Sequence, residues 1–272
     1  MGILNVTPDS FSDGGAFLNP DDAIRHAEQM ARDGADVIDV GGESARPGAT
    51  PVSVEEELRR VVPVIRALAK RLNVPVSIDT SKAAVARGAI EAGASLVNDI
   101  SALRGDPTMG AVIARARVPV ILMHMRGNPR MMQRSPRYRD VVGEVTTFLL
   151  EAVQRAEASG IRPDRILVDP GLGFGKTVTH NLLLLRQLEE LVALGKPVVI
   201  GPSRKSFIGH VLEADAQERL AGTLACVACA IMRQVHMVRV HDVKPTVQFL
   251  TMWGAIEDAS PHLSLAKRPT GK

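Results

Sequence analysis

The sequence predicts a single-domain α/β protein with the (β/α)₈ fold of a TIM barrel. Eight short runs rich in β-branched apolar residues each end at or beside a polar residue, and the intervals between them are long enough for one helix. The runs are continuously apolar rather than alternating, which is typical of strands buried on both sides. The length of 272 residues is also close to the roughly 250 residues of one such domain.

The eight predicted strands cover residues 2–6, 37–40, 76–78, 96–97, 118–123, 166–168, 198–200 and 237–240. The polar residues at or just beyond their ends are Asn5, Asp39, Asp79, Asn98, Asp99, His124, Asp169, Ser203, Arg239 and His241. The carboxyl ends of parallel barrel strands face one site. We therefore expect the chemistry to lie among these residues and on the loops that follow them.

Helix signals occupy the intervals between the strands. Ser53 and Glu56 predict a capping box at the start of the second helix, which Pro63 is expected to disturb. No linker or low-complexity segment divides the chain. We assign residues 1–260 to the barrel and residues 261–272 to a flexible carboxyl-terminal tail.

Composition restricts the class of partner. The net charge is +3, but Lys and Arg are spread among Asp and Glu, which favours a small anionic substrate over a nucleic acid. The sequence has neither an apolar stretch of the roughly 20 residues of a membrane span nor a signal peptide, so we expect a cytoplasmic protein without a membrane partner. Cys226 and Cys229 lie in an apolar helical run, where burial is favoured over a redox or zinc role.

The loops after the first two strands carry polar groups. Residues 5–15 are rich in Asp and Ser and end in glycines, as in a mobile lid that carries hydrogen-bond acceptors. Residues 41–48 combine glycines with one arginine, Arg46. A glycine-flanked arginine at a barrel mouth is a candidate anion clamp, with a solvated surface position as the alternative.

Asp79, Asn98 and Asp169 lie at the ends of the third, fourth and sixth predicted strands. Two carboxylates and an amide at the top of a closed barrel are costly to bury unless something donates hydrogen bonds to them. They predict a flat ligand ring with several N–H donors. The alternative is that each carboxylate caps the following helix, as Asp79 could do beside Ser81.

Residues 169–176 contain three glycines before Lys176, but Pro170 stands where a P-loop requires glycine. This excludes a nucleotide loop of that type. We expect the glycines to let the backbone approach a flat ligand.

Cationic and hydroxyl groups gather near the last two strands. Lys205 lies between hydroxyls in residues 203–206, the region where barrels commonly bind phosphate. Arg239 and His241 alternate along the eighth strand and point the same way, which suits a pyrophosphate. For His241, and for His124 after the fifth strand, a core histidine is the alternative.

These motifs resemble the dihydropteroate synthase family over nearly the whole chain, from residues 2–11 to residues 238–243. The resemblance implies a transferase of folate biosynthesis, a sulfonamide target, that condenses 6-hydroxymethyl-7,8-dihydropterin pyrophosphate with p-aminobenzoate. The products would be 7,8-dihydropteroate and pyrophosphate. It also implies a Mg²⁺ cofactor, two small-molecule substrates as partners and a homodimer.

The resemblance further implies roles for individual residues. Those at the pterin ring would be Asp79, Asn98, Met123, Asp169, Phe174 and Lys205. Those at p-aminobenzoate would be Phe11, Arg46, Pro47 and Ser206. Asn5 would hold Mg²⁺ and would bind pyrophosphate together with Arg239 and His241. The catalytic groups would be Asp13, Lys205, Arg239 and His241, with Asp13 stabilising the cation left by the departing pyrophosphate. Structural roles are expected for Asp39 and His124.

Two alternatives stay open from the sequence. Methyltransferases that act on methyltetrahydrofolate share the barrel and the pterin carboxylates, but would lack the pairing of residues 203–206 with the arginine and histidine of the eighth strand. A non-catalytic paralogue would keep the pterin motifs and lose loop groups. Ala45, where the family usually has threonine, is a hint of that kind, whereas Asn5, Asp13 and Arg46 argue against it.

Overall fold

The computed structural model describes residues 1–7, 20–46, 48–128 and 130–259. Its strands are β1 (Gly2–Asn5), β2 (Ile38–Gly41), β3 (Val76–Asp79), β4 (Leu96–Asp99), β5 (Val120–Met123), β6 (Ile166–Asp169), β7 (Val199–Ile200) and β8 (Met237–Val238). Its helices are α1 (Pro20–Arg32), α2 (Val54–Arg71), α3 (Ala83–Glu91), α4 (Met109–Ala116), α5 (Val141–Ala158), α6 (Val178–Arg186), α7 (Leu188–Val192), α8 (Ser206–Leu212), α9 (Leu220–Met232) and α10 (Val243–Glu257). The predicted tail at residues 261–272 lies outside the described residues.

Hydrogen bonds between neighbouring strands close the sheet into a barrel. Strands β1 to β6 form one parallel sheet in chain order, and β7 pairs with β8. The N–H of Val168 in β6 donates to Pro197 O at 3.0 Å, just before β7. On the other side, the N–H of Ile3 in β1 donates to Val240 O at 3.0 Å, just beyond β8. The predicted TIM barrel is confirmed.

Alternation along the strands separates two apolar layers. The main core lies between strands and helices and includes Ile38, Val40 and Ile78 with Ile65 and Leu68 of α2. The second cluster takes residues of the opposite parity, Met1, Val37, Leu96, Ile121 and Val199. Because successive side chains of a strand point to opposite faces, this cluster fills the barrel interior near the amino ends of the strands. Interior positions further along, at the carboxyl ends of the strands, include the polar residues Asp39 and Asn98.

The start of α2 differs from the predicted capping box. The N–H of Glu56 donates to Oγ of Ser53 at 3.2 Å, which is half of the motif. The carboxylate of Glu56 is instead bound by Arg59 at 2.8 Å and by Arg60 at 2.7 Å, so it does not reach back to the cap. The helix continues through Pro63 without a break. Packing of its buried face against the strands outweighs one missing backbone hydrogen bond.

The remaining expectations concern the cysteines and the membrane. Cys226 is buried in α9, and burial raises the pKa of its thiol to about 12. Cys229, one turn later, is only half-buried, and neither thiol forms a disulfide.

None of the helices in the described ranges is long and apolar enough to cross a membrane.

Candidate active site

A row of neighbouring polar positions lies on the interior face at the carboxyl end of the barrel. In the strand register, Asn5 pairs with Gly41, Gly41 with Asp79, and Asp79 with Asn98. A Cβ at Gly41 would lie 3.7 Å from Oδ1 of Asn5 and 3.8 Å from Oδ2 of Asp79. The structure thus places Asn5, Asp79 and Asn98 side by side.

Arg239 bridges two carboxylates on this face. Its Nε donates to Oδ2 of Asp39 at 2.6 Å, and its Nη2 donates to Oδ2 of Asp79 at 2.8 Å. Asp39 also accepts a hydrogen bond from Nδ2 of Asn98 at 3.0 Å. Asp39 is fully buried, and a buried carboxylate requires a cation or several donors. Arg239 and Asn98 both donate to Oδ2, whereas Oδ1 of Asp39 is buried without a hydrogen-bond partner among the described residues.

Burial and charged neighbours set the protonation of Asp79. Removal from water raises the pKa of Asp79 to about 7, with Arg239 lowering it and Asp39 raising it. For Arg239, burial opposes the charge, but Asp39 and Asp79 outweigh burial and raise the pKa of the guanidinium. Asp79 can therefore gain or lose a proton near neutral pH. That property is common at ligand-binding and catalytic sites.

Asp169 and Lys205 lie at the same end of the barrel. Oδ1 of Asp169 accepts the N–H of Gly171 at 2.7 Å. Burial raises the pKa of Asp169, whereas the Gly171 N–H and the charge of Lys205 oppose the rise. Burial, followed by the charge of Arg239, lowers the pKa of Lys205 to about 8. The ammonium of Lys205 lies 4.1 Å from the ring centroid of Phe174, a cation–π contact.

The glycines of residues 169–176 serve protein packing. Gly171 has a φ of +65°, and a Cβ there would collide with the carbonyl oxygen of His124. Gly175 has a φ of +63°, and a Cβ there would lie 2.5 Å from the carbonyl oxygen of Arg126. These two glycines therefore have a packing role, and the approach of the loop to a flat ligand stays a prediction. They admit the backbone of the loop after β5.

Lys176 is bound on the inside of this glycine loop. Its Nζ lies 2.9 Å from Gly171 O, 3.0 Å from Phe174 O and 2.9 Å from Nδ1 of His124. Lys176 is buried, and burial lowers its pKa to about 7. Burial, followed by the charge of Lys176, lowers the pKa of His124 to about 2, so the imidazole is neutral. Nδ1 of His124 can therefore accept a hydrogen bond from the ammonium.

Three methionines form an apolar wall beside the polar row. Met123, Met125 and Met132 are buried together, with Ile100 and Phe174 packed against them. Met123 is the last residue of β5 and faces the interior. The thioether side chains are flexible and polarisable, which suits contact with a flat ring. Two of the predicted ring contacts, Met123 and Phe174, are thus brought together.

Ser203 positions His241. Oγ of Ser203 accepts the backbone N–H of His241 at 3.1 Å and lies 3.0 Å from its Nδ1. Burial, followed by the charge of Arg239, lowers the pKa of His241 to about 4. At neutral pH the ring can offer an anion one N–H but no positive charge. Nearby, Nε of Arg204 donates to Oδ2 of Asp242 at 2.8 Å, which engages that guanidinium.

The loop after β2 lies between two cavities. A cavity of about 320 Å³ is lined by Ala45 of this loop and by Asp79. A wider cavity of about 620 Å³ is lined by Arg46, which is exposed, and by Thr7. Both cavities are lined by Ser44, Ala49 and Pro51. Arg46 therefore lies on the side of the loop away from the Asp79 cavity.

A set of ionic and backbone contacts fixes this loop to α2 and α3. Glu43 accepts a hydrogen bond from Lys82 through Oε2 and from the N–H of Val52 through Oε1, the latter at 3.3 Å. Lys82 also binds the buried Glu57. Arg60 donates to the carbonyl of Gly42 at 2.9 Å. Both ends of the 43–52 segment are thus braced.

Four predicted residues remain to be placed. Phe11, Asp13 and Pro47 lie outside the described residues. Ser206 is exposed in the first turn of α8, directly after Lys205.

The sequence predicts only a structural role for Asp39 and does not point to Lys176. The signal for Asp39 is a carboxylate inside an apolar strand, which needs a buried cation. For Lys176 the sequence carries no such signal, because the loop that encloses it forms only when residues after β5 and β6 meet. Tertiary contact therefore reveals its role.

Few side chains of the described site could ligate a divalent metal ion. The described residues contain no group of three or more His, Cys, Asp or Glu side chains that could hold a metal ion. Asn5 supplies an amide oxygen beside the polar row. Mg²⁺ commonly keeps several waters and takes few protein ligands together with phosphate oxygens. The residues present thus fit an ion that enters with a diphosphate rather than an all-protein cage.

Comparison with known proteins shows the family of this chain. A family model described as "Pterin binding enzyme" matches residues 1–241. The dihydropteroate synthase of Escherichia coli (strain K12) is 51% identical over 248 residues, which cover 91% of this chain and 88% of that protein. The dihydropteroate synthase of Bacillus subtilis (strain 168) is 46% identical over 256 residues, 94% of this chain and 87% of that protein.

Solved structures give the same answer. The Yersinia pestis dihydropteroate synthase in complex with a sulfonamide drug has a TM-score of 0.90 and 48% identity, covering 95% of this chain and 94% of that chain. The Xanthomonas albilineans dihydropteroate synthase in complex with 7,8-dihydropteroate has a TM-score of 0.87 and 45% identity, covering 95% of this chain and 93% of that chain. This chain therefore belongs to the pterin-binding enzymes and, among them, to the dihydropteroate synthases, a class of transferase.

Proposed function

We propose that this enzyme condenses 6-hydroxymethyl-7,8-dihydropterin pyrophosphate with p-aminobenzoate, giving 7,8-dihydropteroate and pyrophosphate. The observation that carries the proposal is the set of Asp79, Asn98 and Asp169 at the carboxyl end of the barrel, beside the cations Arg239 and Lys205. Three groups rich in acceptors match the N–H donors of a pterin ring. A related enzyme, the Xanthomonas albilineans dihydropteroate synthase, has been solved with 4-aminobenzoic acid.

The pterin ring would lie between the polar row and the apolar wall. The carboxylates of Asp79 and Asp169 accept ring N–H bonds, and the amide of Asn98 can both donate and accept. Met123 and Phe174 contact the ring faces. Lys205 donates to a ring acceptor while it remains over Phe174. Asp79, Asn98, Asp169 and Lys205 then each gain a polar partner on the ring.

The chemical step breaks the bond between the pterin methylene carbon and the pyrophosphate oxygen. Arg239 and the N–H of His241 stabilise the negative charge that collects on the leaving group. The amine nitrogen of p-aminobenzoate then bonds to the carbon and loses a proton. No strong nucleophile on the protein is needed, because the pterin can stabilise the transient cation. Asp13, outside the described residues, is assigned to assist that cation.

Asn5 is proposed to hold Mg²⁺ together with the pyrophosphate oxygens. The ion would neutralise leaving-group charge when bound. The amide oxygen of Asn5 faces Gly41, where no side chain intervenes, and Oδ2 of Asp79 lies on the other side of that position.

The second substrate would be bound by loops. Arg46 and Pro47 of the loop after β2, Phe11 of the loop after β1, and Ser206 beside Lys205 are the proposed contacts. Exposure of Arg46 and Ser206 suits a site that is completed after the pterin substrate has bound.

We also propose a homodimer in the cytoplasm. Met232, Met252 and Ile256 of α9 and α10 are 67%, 62% and 58% exposed, and burial of such side chains favours association. Two free cysteines, Cys226 and Cys229, suit a reducing compartment.

The proposed reaction is tested by mixing the protein with the pterin pyrophosphate, p-aminobenzoate and Mg²⁺ and measuring dihydropteroate and pyrophosphate. Equal amounts of both products are expected. Tight pterin binding without product would reject the synthase assignment and would favour a non-catalytic paralogue. Transfer of a methyl group from methyltetrahydrofolate would favour the methyltransferase alternative.

A further inference from the structure

Lys176 joins two strand exits of the active site. It follows the glycine loop after β6, and its Nζ reaches Nδ1 of His124 after β5 at 2.9 Å. Lys176 is 3% exposed, so the amine is removed from bulk water. The carbonyls of Gly171 and Phe174 lie at 2.9 and 3.0 Å, so the protonated amine has one acceptor for each of its three N–H donors.

The two carbonyl acceptors, Gly171 O and Phe174 O, belong to residues that contact the proposed pterin-binding side chains Asp169 and Lys205. Gly171 binds Lys176 through its carbonyl and binds Oδ1 of Asp169 through its N–H, at 2.7 Å. One glycine therefore transmits the position of the ammonium to the carboxylate of Asp169. The carbonyl of Phe174 is bound in the same way, and its ring lies against Lys205.

The glycine loop directs two of its carbonyl groups at Lys176. Residues Gly171, Gly173 and Gly175 all have positive φ, and their carbonyl groups turn toward the inside of the loop or toward the neighbouring loop. Gly173 O accepts from Gln133 and Gly175 O accepts from Tyr138 at 2.9 Å, whereas Gly171 O and Phe174 O converge on Lys176. Buried carbonyls that lose their donor carry a desolvation cost.

We propose that Lys176 is a positioning residue for the pterin substrate, which orients Asp169 and Phe174 through the carbonyls of the glycine loop and couples them to β5 through His124. It does not touch the reacting atoms. This inference rests on the proposed pterin-binding role of the site and adds to it a residue whose effect is specific to one of the two substrates.

The first test replaces Lys176 with methionine, which keeps the unbranched shape and most of the length of the side chain and removes its hydrogen bonds. The KM for the pterin pyrophosphate is expected to rise about tenfold or more, as for other losses of an orienting partner, while the KM for p-aminobenzoate stays within about twofold. The matched control is Lys196→Met. Lys196 donates to Pro163 O at 2.9 Å and to Glu157 at 3.1 Å before β7, away from the site. Its loss should leave both KM values unchanged.

The second test uses His124, in case the Lys176→Met protein does not fold. His124→Asn retains an acceptor near the position of Nδ1 and should keep the wild-type KM for the pterin substrate. His124→Leu removes the acceptor and should raise that KM selectively. Circular dichroism at the assay temperature confirms that the compared proteins are folded.

The outcomes distinguish failure of the proposed synthase activity from failure of the positioning role of Lys176. If the wild type forms no dihydropteroate, the proposed function is rejected. If the wild type is active and Lys176→Met changes both KM values by the same factor, or neither, only the positioning role is rejected. Equal behaviour of His124→Asn and His124→Leu rejects it as well.

Discussion

Nε of Arg239 donates to Oδ2 of Asp39 at 2.6 Å across the barrel interior, joining residues 200 positions apart in the chain. Asp39 is fully buried, and only 18% of the Arg239 side chain is exposed. The same guanidinium binds Asp79, so one cation connects the interior of the barrel to the polar row of the proposed pterin site. The position of Arg239 beside Asp79 thus depends on a carboxylate that no ligand needs to touch.

Replacement of Asp39 by asparagine should destabilise the protein, because Arg239 would remain buried with less compensating charge. The expected loss in the free energy of unfolding is about 3 kcal/mol, measured by urea denaturation. Asp22→Asn is the matched control, since Asp22 and Arg25 form an exposed pair on α1. The control should cost less than about 1 kcal/mol. Equal effects of the two substitutions would contradict a special role for the buried pair.

Asp79 predicts a specific dependence of stability on pH. Its pKa rises from 3.8 to about 7 on folding, chiefly through burial. Between these values the folded protein holds a proton that the unfolded chain has released, so the free energy of unfolding falls as pH rises. Asp39, Glu57, Asp99 and Arg239 are the charged neighbours that contribute to this shift.

Asp79→Asn should remove this part of the pH dependence. The difference between the two proteins in urea titrations from pH 4.5 to 7 should reach at most about 1.4 kcal/mol per pH unit, the limit for one proton. Parallel curves would show that Asp79 titrates at its ordinary pKa. The substitution should also weaken pterin binding in calorimetry, because asparagine presents one acceptor where the carboxylate presents two.

Asn5→Ala should reduce Mg²⁺-dependent turnover much more than pterin binding. The reason is that the amide oxygen is assigned to the ion and the leaving group rather than to the ring. The measurement compares kcat over a Mg²⁺ titration with the calorimetric Kd for 6-hydroxymethylpterin, which lacks the pyrophosphate. Removal of Mg²⁺ by EDTA should abolish turnover of the wild type. Equal losses of kcat and of pterin affinity in the variant would refute the assignment.

Glu43→Gln should loosen the loop after β2, since an uncharged amide binds Lys82 more weakly. The KM for p-aminobenzoate should rise about fivefold through misplacement of the loop that carries Arg46, with pterin affinity unchanged. Glu55→Gln is the control, because Glu55 is exposed on α2 and lies on the opposite side of the helix from Glu57, which binds Lys82. If the pterin KM rises instead, the loop serves the first substrate.

Ala45→Thr should restore the hydroxyl that the family usually carries at this position. Ala45 lines the cavity of about 320 Å³, so the larger side chain has room. The KM for p-aminobenzoate should fall by about twofold to tenfold, the value of one net hydrogen bond of about 0.5–1.5 kcal/mol. Ala45→Val adds the same volume without the hydroxyl and should give no such gain. A gain with valine would assign the effect to packing.

Much of the fold is readable from local pattern. The interval between apolar runs predicts parallel strands joined by helices, and the bounds of β1 to β6 lie within two residues of the predicted runs. Strands β7 and β8 are shorter than predicted, with two residues each. Only isolated bridges connect β6 with the residue before β7 and β1 with the segment after β8. Only one of the two hydrogen bonds of the predicted capping box at Ser53 forms, because Arg59 and Arg60 bind the carboxylate of Glu56.

The sequence alone decides which residues leave the strands on the interior face, because side chains alternate along each strand. That places Asp79, Asn98 and Asp169 at one end of the barrel and supports the resemblance to the family. Only the tertiary structure decides which charges meet. Arg239 reaches Asp39 because the barrel closes between β8 and β1, and Lys176 reaches His124 because two loops pack against each other. Such pairings depend on register and burial across distant segments, which local sequence does not encode.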